Sequence, residues 1–245
     1  MLTAQGFSKA LAYWKLFLQG VACTVSLSAL TVILGFILAL VLAICRMGRS
    51  KILKALATAY VELFRATPMV VQIFIIFYVV FDGVKVLPGF KLYGFIRFDR
   101  FFPAVVALSL NSGAYLSEII RSGIQSIDGG QTEAARSLGL SSWKTMRFVV
   151  LPQAIPHFLP SYKGQITALI KATAVVGYVA VQDLTKMGDI VRSRTYEAFF
   201  PLIAVAIIYF ILAAILTFLV NRIEIRIDPR RRSKQQILKG VKTDD

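Results

Sequence analysis

Val21–Ile44 is a run of 24 residues without a single charged side chain. As an α-helix rising about 1.5 Å per residue it would reach roughly 36 Å, enough for a hydrocarbon core of about 30 Å with some tilt. Four more apolar blocks follow, over 60–81, 101–123, 158–181 and 198–220. The second is broken early by Glu62, Arg65 and Pro68, the third carries Glu118 near its end, the fourth holds Lys163 and Lys171, and the fifth has no charge. Hydrophobic residues make up 57% of the chain, above the roughly 45–50% of soluble domains, and the mean hydropathy is +0.69. The pattern predicts an all-α polytopic membrane protein with about five transmembrane helices. A membrane domain over 21–221 is flanked by an N-terminal segment, 1–20, and a basic tail, 222–245.

A cleavable signal peptide is the rival for the first block, but its apolar core spans only about 7–15 residues. The run here is longer, and Arg46, Arg49, Lys51 and Lys54 follow it. The net charge of +15 would suggest nucleic acid on a soluble protein. On a membrane protein, cytoplasmic enrichment in Lys and Arg and contact with anionic lipid account for it, and no nucleic-acid partner is expected. The stretches 45–59, 121–157 and 221–245 hold sixteen Lys/Arg, against nine in 1–20, 82–100 and 182–197. This places the C-terminus and the 121–157 loop in the cytoplasm and, with five spans, the N-terminus outside. Cys23 and Cys45 lie near opposite ends of one expected helix and cannot bridge. His157 is the lone histidine, so no metal site is readable, and no phosphate-binding glycine loop occurs.

Ionisable groups within hydrocarbon normally face the bundle interior or a water-filled path. Glu62, Arg65, Met69 and Gln72 follow at helical spacing on one expected face, and Glu62 can pair with Arg65. Pro68 predicts a kink or unwound turn. The Glu62–Arg65 pair reads either as an interfacial pair or as a ligand contact. Asn111, Tyr115, Glu118 and Ser122 form a polar stripe on the third span, with Gly113, Ala114 and Ser117 on a small-residue side. The stripe either lines a path or makes interhelical hydrogen bonds. Lys171 lies deep in the fourth block, where an internal partner is expected.

Between the third and fourth blocks lies a polar loop, 128–152. A surface helix is predicted over roughly 130–147, with Gly139 in its middle at a cost of about 1 kcal/mol. Pro152, Pro156 and Pro160 predict an irregular turn leading into the fourth span. Such a helix can rest on lipid headgroups or dock on a partner.

The loop reads Glu133-Ala134-Ala135, three residues, Gly139, nine residues, Val149, one residue, Leu151-Pro152. This spacing resembles the EAA signature of the permease subunits of bacterial ATP-binding-cassette importers. Tyr60-Val61-Glu62-Leu63-Phe64-Arg65-Ala66-Thr67-Pro68 with Gln72, Tyr115–Ile124 followed by Gly130-Gln131, Leu151–Ala154, and Ile170-Lys171 extend the resemblance to the polar amino acid importer family over roughly residues 20–220. The pattern departs at Ala172 and Thr173, where that family often has Asp or Asn and then Ser or Thr.

The resemblance implies a type I ABC importer permease fold in a bacterial cell membrane, with a cytoplasmic coupling helix. It further implies that Glu133, Ala134, Ala135, Gly139, Leu151 and Pro152 form the coupling loop for a cytoplasmic ATPase dimer. A second permease subunit, the same or similar, would complete the path, and an extracytoplasmic solute-binding protein would deliver an amino acid. ATP and Mg would bind the ATPase, and this chain would hold no cofactor and perform no catalysis. Gln72, Asn111, Tyr115, Glu118 and Thr173 are the candidate path residues, and Glu62, Arg65, Pro68 and Lys171 the structural or interfacial ones. An ion-coupled secondary transporter, an ABC permease for another small solute, and a membrane anchor for a complex are the other readings. The first of these requires internal repeats, which the sequence lacks.

Overall fold

The computed structural model describes residues 12–82 and 87–227, and the remainder of both flanking segments and Lys85 lie outside them. The first helix, α1 (Trp14–Met47), is 34 residues long and begins seven residues before the charge-free run. It takes in part of the segment expected to stand apart, because nothing between Trp14 and the apolar run stops a helix. Trp14 is 53% exposed at its start, a residue suited to the bilayer interface. The chain leaves the helix at Gly48, and the Ser50 hydroxyl accepts from the Leu53 N–H to start α2 (Lys51–Ala66).

The second span is more than kinked. Helix α2 and its continuation α3 (Met69–Phe74), which passes into π-helical turns over Ile75–Asp82, are bent by 110°. Pro68 lacks an N–H and pushes the preceding residue out of the helical region. Thr67 and Pro68 are accordingly both extended, with ψ of 146° and 134°. A short antiparallel hairpin, β1 (Lys91–Leu92) with β2 (Ile96–Arg97), turns through Tyr93 and Gly94 at positive φ. It leads into α4 (Phe98–Gln125). The Arg97 guanidinium bonds Asp99 in the first turn of α4 at 2.6 Å and holds its carboxyl below the ordinary range.

Helix α4 is the axis of the bundle, and α1, α2 and α7 pack around it. Its small-residue side meets α1: a Cβ on Gly113 would lie 2.8 Å from Leu38 Cδ2, and Ala114 and Ser117 are fully buried. After α4 come α5 (Gly129–Ser137), α6 (Ser142–Thr145), a π-helical turn over Met146–Val150, α7 (Leu151–Ala172) and 3₁₀ turns over Thr173–Val179. The expected irregular turn at the prolines is absent, and the chain is helical from Ser142 to Val179. The Leu151 N–H donates to the Met146 carbonyl, five residues back, which widens the turn just ahead of Pro152. Spaced four apart, the prolines omit bonds along one edge of the helix, so the helix persists with that edge unbonded.

Helix α8 (Leu184–Thr195) then diverges by 53°, and α9 (Phe199–Ile227) closes the described chain. Among the described residues two helices, α1 and α9, are singly long and apolar enough to cross a bilayer, and α2–α3 and the α7–α8 pair qualify as broken spans. Helix α4 is less apolar, but its 28 residues give a length of about 42 Å. Exposed Ile207, Phe210, Ile215 and Phe218 leave α9 at the rim of the bundle. It is tied to α7 by Lys163, whose Nζ reaches Asn221 Oδ1 at 2.8 Å and buried Glu224 Oε2 at 3.2 Å. The sequence had shown Lys163 only as an interruption.

Candidate functional site

The 128–152 loop holds a helix with a closed end rather than a helix through Gly139. Asp128 Oδ1 accepts from the Gly130 N–H and starts α5. At the other end the Leu140 N–H donates to the Ala135 carbonyl and the Gly139 N–H to the Arg136 carbonyl. This is a Schellman cap, and it requires a left-handed residue where Gly139 sits at φ +82°. Gly139 therefore ends the helix, and the second part of the predicted 130–147 helix is the separate α6. Arg136 Nη1 also donates to the Leu140 carbonyl at 2.7 Å, bracing the turn.

Helix α5 packs on the π-helical turn Met146–Val150. Ala135 is 5% exposed, whereas Glu133, Ala134 and Gly139 are exposed. Leu151 is half-buried and Pro152 exposed. Around them Leu138, Trp143 and Phe148 are 84%, 70% and 67% exposed. Three large apolar side chains on a polar loop form a sticky surface that sequence reading passed over. The signal was present as apolar residues standing among charged ones.

The second candidate region is the break in α2–α3. The polypeptide is unwound there, so carbonyls lose their helical partners. Gln72, 7% exposed, turns back and its Nε2 donates to the carbonyls of Phe64 (2.8 Å) and Thr67 (3.1 Å) and to Thr67 Oγ1 (2.7 Å). Asn111 Nδ2 in turn donates to Gln72 Oε1 at 2.8 Å. The amides of these two path candidates are thus engaged within the chain. The bend also overturns the single face expected for Glu62, Arg65, Met69 and Gln72, because 110° separates the first two from the last two. No Glu62–Arg65 ion pair forms among the described residues. Arg65 lies over the Tyr115 ring at 5.6 Å, and Glu62 is exposed.

The rest of the α4 stripe is similarly partnered. The Tyr115 hydroxyl donates to the Arg65 carbonyl at 3.5 Å. Glu118 accepts from Arg46 of α1 and, on its other oxygen, from Arg121. Arg46 Nε also reaches Thr58 of α2 at 3.4 Å, so Arg46 links three helices, α1, α2 and, through Glu118, α4. Thr173 is fully buried, and its hydroxyl donates to the Ile170 carbonyl at 2.7 Å.

Lys171 departs from expectation: it is exposed on the protomer rather than paired inside it. The reason lies in the rotation of α7. The helix turns Ala154, Leu159, Ile166 and Leu169 inward, and His157, Ser161, Gly164, Ala168 and Lys171 outward. Those outward residues are small or polar, unlike the apolar outer surface of α9. A helix face of this kind suits a second polypeptide or a hydrated passage better than lipid. The sequence carries the spacing, but the buried and open faces could not be told apart without the neighbours.

A model of the family described as binding-protein-dependent transport system inner membrane component matches residues 14–232. The chain is 36% identical over 207 residues to a putative glutamine transport system permease protein of Rickettsia typhi, covering 84% of this chain and 90% of that one. It is 37% identical over 218 residues to an arginine transport system permease protein of Bacillus subtilis, covering 89% and 95%. A crystal structure of an amino acid ABC transporter with histidines superposes with a TM-score of 0.80 at 36% identity, covering 92% of this chain and all of that one. A methionine ABC transporter in an inward facing conformation shares the fold at a TM-score of 0.70 and 21% identity, covering 87% and 96%.

Proposed function

This chain belongs to the family of binding-protein-dependent transport system inner membrane components, and from that premise we propose that it carries a polar amino acid across the membrane. It is a permease subunit of an ABC importer, a transport subunit rather than an enzyme. The amino-acid reading is supported by relatives at 34–37% identity named for glutamine, arginine and nopaline transport.

The partners follow from the same premise. A dimer of cytoplasmic ATPases binds ATP and Mg and receives α5 from each of two permeases. An extracytoplasmic binding protein delivers the amino acid, and the outward face of α7 meets a second permease subunit or the passage between the two. The observation that carries the coupling role is the exposed surface of Glu133 and Ala134 on a helix closed at both ends, continued by Leu138 at its cap and Trp143 at the start of α6. A capped helix moves as a unit. The helical continuity from Ser142 to Val179 gives that motion a stiff route into the bundle. ATP binding biases a two-state bundle only to the extent that the ATPase dimer binds the two states with different affinity.

The chain, its ATPase and its binding protein reconstituted in liposomes should take up a polar amino acid only with ATP inside and binding protein outside. Uptake driven by an ion gradient without ATP would overturn this reading.

A further inference from the structure

At the end of α7 remote from the coupling loop, the 3₁₀ turns, α8 and the start of α9 line an open cavity of about 420 Å³. This lies within the roughly 300–1,000 Å³ of small-molecule sites. Its polar wall is α8, with Thr185 at the start and a charged face beyond it. Lys186, Asp189 and Arg192 follow three residues apart, so all three project the same way. Arg192 Nη2 bonds Asp189 Oδ1 at 2.5 Å, and Lys186 Nζ lies 3.5 Å from Oδ2. Two cations share one carboxylate, which leaves a positive charge in surplus. The side chains of Lys186, Asp189 and Arg192 keep 37%, 40% and 48% of their exposure, so all three remain accessible. The rest of the lining is lean and largely apolar: Ala174, Gly177, Leu202 and Tyr178, the last 68% exposed.

The charged face is held rigidly. Asp183, fully buried, accepts the N–H groups of Thr185 and Lys186 at 3.0 Å and the Tyr209 hydroxyl at 3.1 Å, which caps α8 from within the chain. The flanking helices approach too closely for side chains. A Cβ on Gly20 would lie 2.7 Å from Leu184 Cα, and one on Gly188 2.3 Å from Val205 Cγ2. Helix α8 is therefore clamped between α1 and α9. Ala174, Gly177 and Tyr178 of the 3₁₀ turns, which continue the chain directly from α7, line the cavity.

We propose that this cavity binds a zwitterionic α-amino acid, with Lys186 and Arg192 receiving the carboxylate, Asp189 the ammonium, and the apolar wall the side chain. The inference deepens the amino-acid reading above and rests on it. The chemistry is complementary in sign and number: the surplus cation matches the carboxylate, and the half-exposed Asp189 keeps acceptor capacity for the ammonium. Groups this exposed bind weakly, which suits a site that must release its occupant.

The test uses the permease–ATPase complex in lipid nanodiscs without binding protein, with radiolabelled L-glutamine, L-arginine and L-cystine each as probe. At least one should bind saturably. Unlabelled amino acid should compete, and neither its α-carboxamide nor its N-acetyl derivative should. Lys186→Gln and Arg192→Gln should each weaken binding about tenfold, and Arg192→Lys should weaken it less. Asp189→Asn should narrow the preference for the free amine over the N-acetyl form. The proposal is overturned by absence of saturable binding up to about 10 mM, or by equal competition from the two derivatives. It is also overturned if the variants lose only ATPase stimulation by cargo-free binding protein, which would make the patch a protein-docking surface. Binding that fails while ATP-driven amino acid uptake persists sinks this inference alone. Failure of wild-type uptake sinks the function itself.

Discussion

Asn111 and Gln72, 39 residues apart in the chain, share a hydrogen bond of 2.8 Å within a network that closes a broken helix. Gln72 repairs the unwound carbonyls of Phe64 and Thr67, and Asn111 holds Gln72 in place. The pair gives the bundle a sharp bend without leaving backbone groups orphaned in an apolar setting.

Removing either amide should therefore cost stability first. Gln72→Leu leaves buried acceptors unpaired, a loss of about 1–3 kcal/mol for each group left unsatisfied. Gln72→Leu and Asn111→Ala should each lower the thermal midpoint of the purified protein, and the double variant should cost less than the sum. The profile of amino acids that stimulate the ATPase should stay the same. A changed profile with unchanged stability would return Asn111 to the passage.

The 128–152 loop, proposed above to dock on the ATPase, offers a test that separates folding from docking. Ala134 is exposed and Ala135 buried, on a helix that packs on the chain's own π-helical turn. Ala134→Trp should weaken capture of the ATPase subunit in a pull-down while the thermal midpoint is kept. Ala135→Trp should lower the midpoint as well. Gly139→Val forces a β-branched residue to φ near +82° and should cost about 1–2 kcal/mol while unwinding the cap. Equal behaviour of the two alanine variants would refute the assignment of faces.

Glu118 ties α4 to α1 through Arg46, which also reaches Thr58 of α2, and pairs with Arg121 on its own helix. Glu118→Gln leaves two guanidinium groups side by side with one neutral acceptor. For this partly exposed cluster the expected loss is about 1–2 kcal/mol. Exchanging the charges in Arg46→Glu with Glu118→Arg should recover part of it. Arg121 then faces a like charge at position 118, so the recovery is incomplete. No recovery in thermal unfolding would mean that packing, not charge, decides this site.

Orientation is testable at two exposed residues. In a background lacking Cys23 and Cys45, Tyr93→Cys in the hairpin turn should react with an impermeant maleimide in intact cells. Trp143→Cys beside α5 should react only after lysis. Tyr93 and Trp143 are 79% and 70% exposed, so access is not limited by burial. The reversed pattern would invert the assignment from the charge count.

The sequence by itself determined the class and the order of the elements. The charge-free runs at 21–44 and 198–220 leave a chain few places other than a membrane, and the Glu133–Pro152 spacing marks the loop. Both signals are local, carried by neighbours in the chain. Pro68 likewise announced a break, though not its 110°, because the size of a bend depends on what catches the freed carbonyls. The catch is Asn111 and Gln72, brought together only when α4 packs beside the bend. The prolines of α7 misled for the same reason: a π-helical turn accommodates them, and no propensity specifies it. Lys171 was expected inside and lies outside, since depth along a helix can be counted but its rotation is fixed by the partners of the opposite face. The cavity beside α8 belongs wholly to the tertiary structure. Its charges are legible in sequence, but two cations and a carboxylate become a site only where a buried Asp183 and two close helix contacts hold them against an apolar wall.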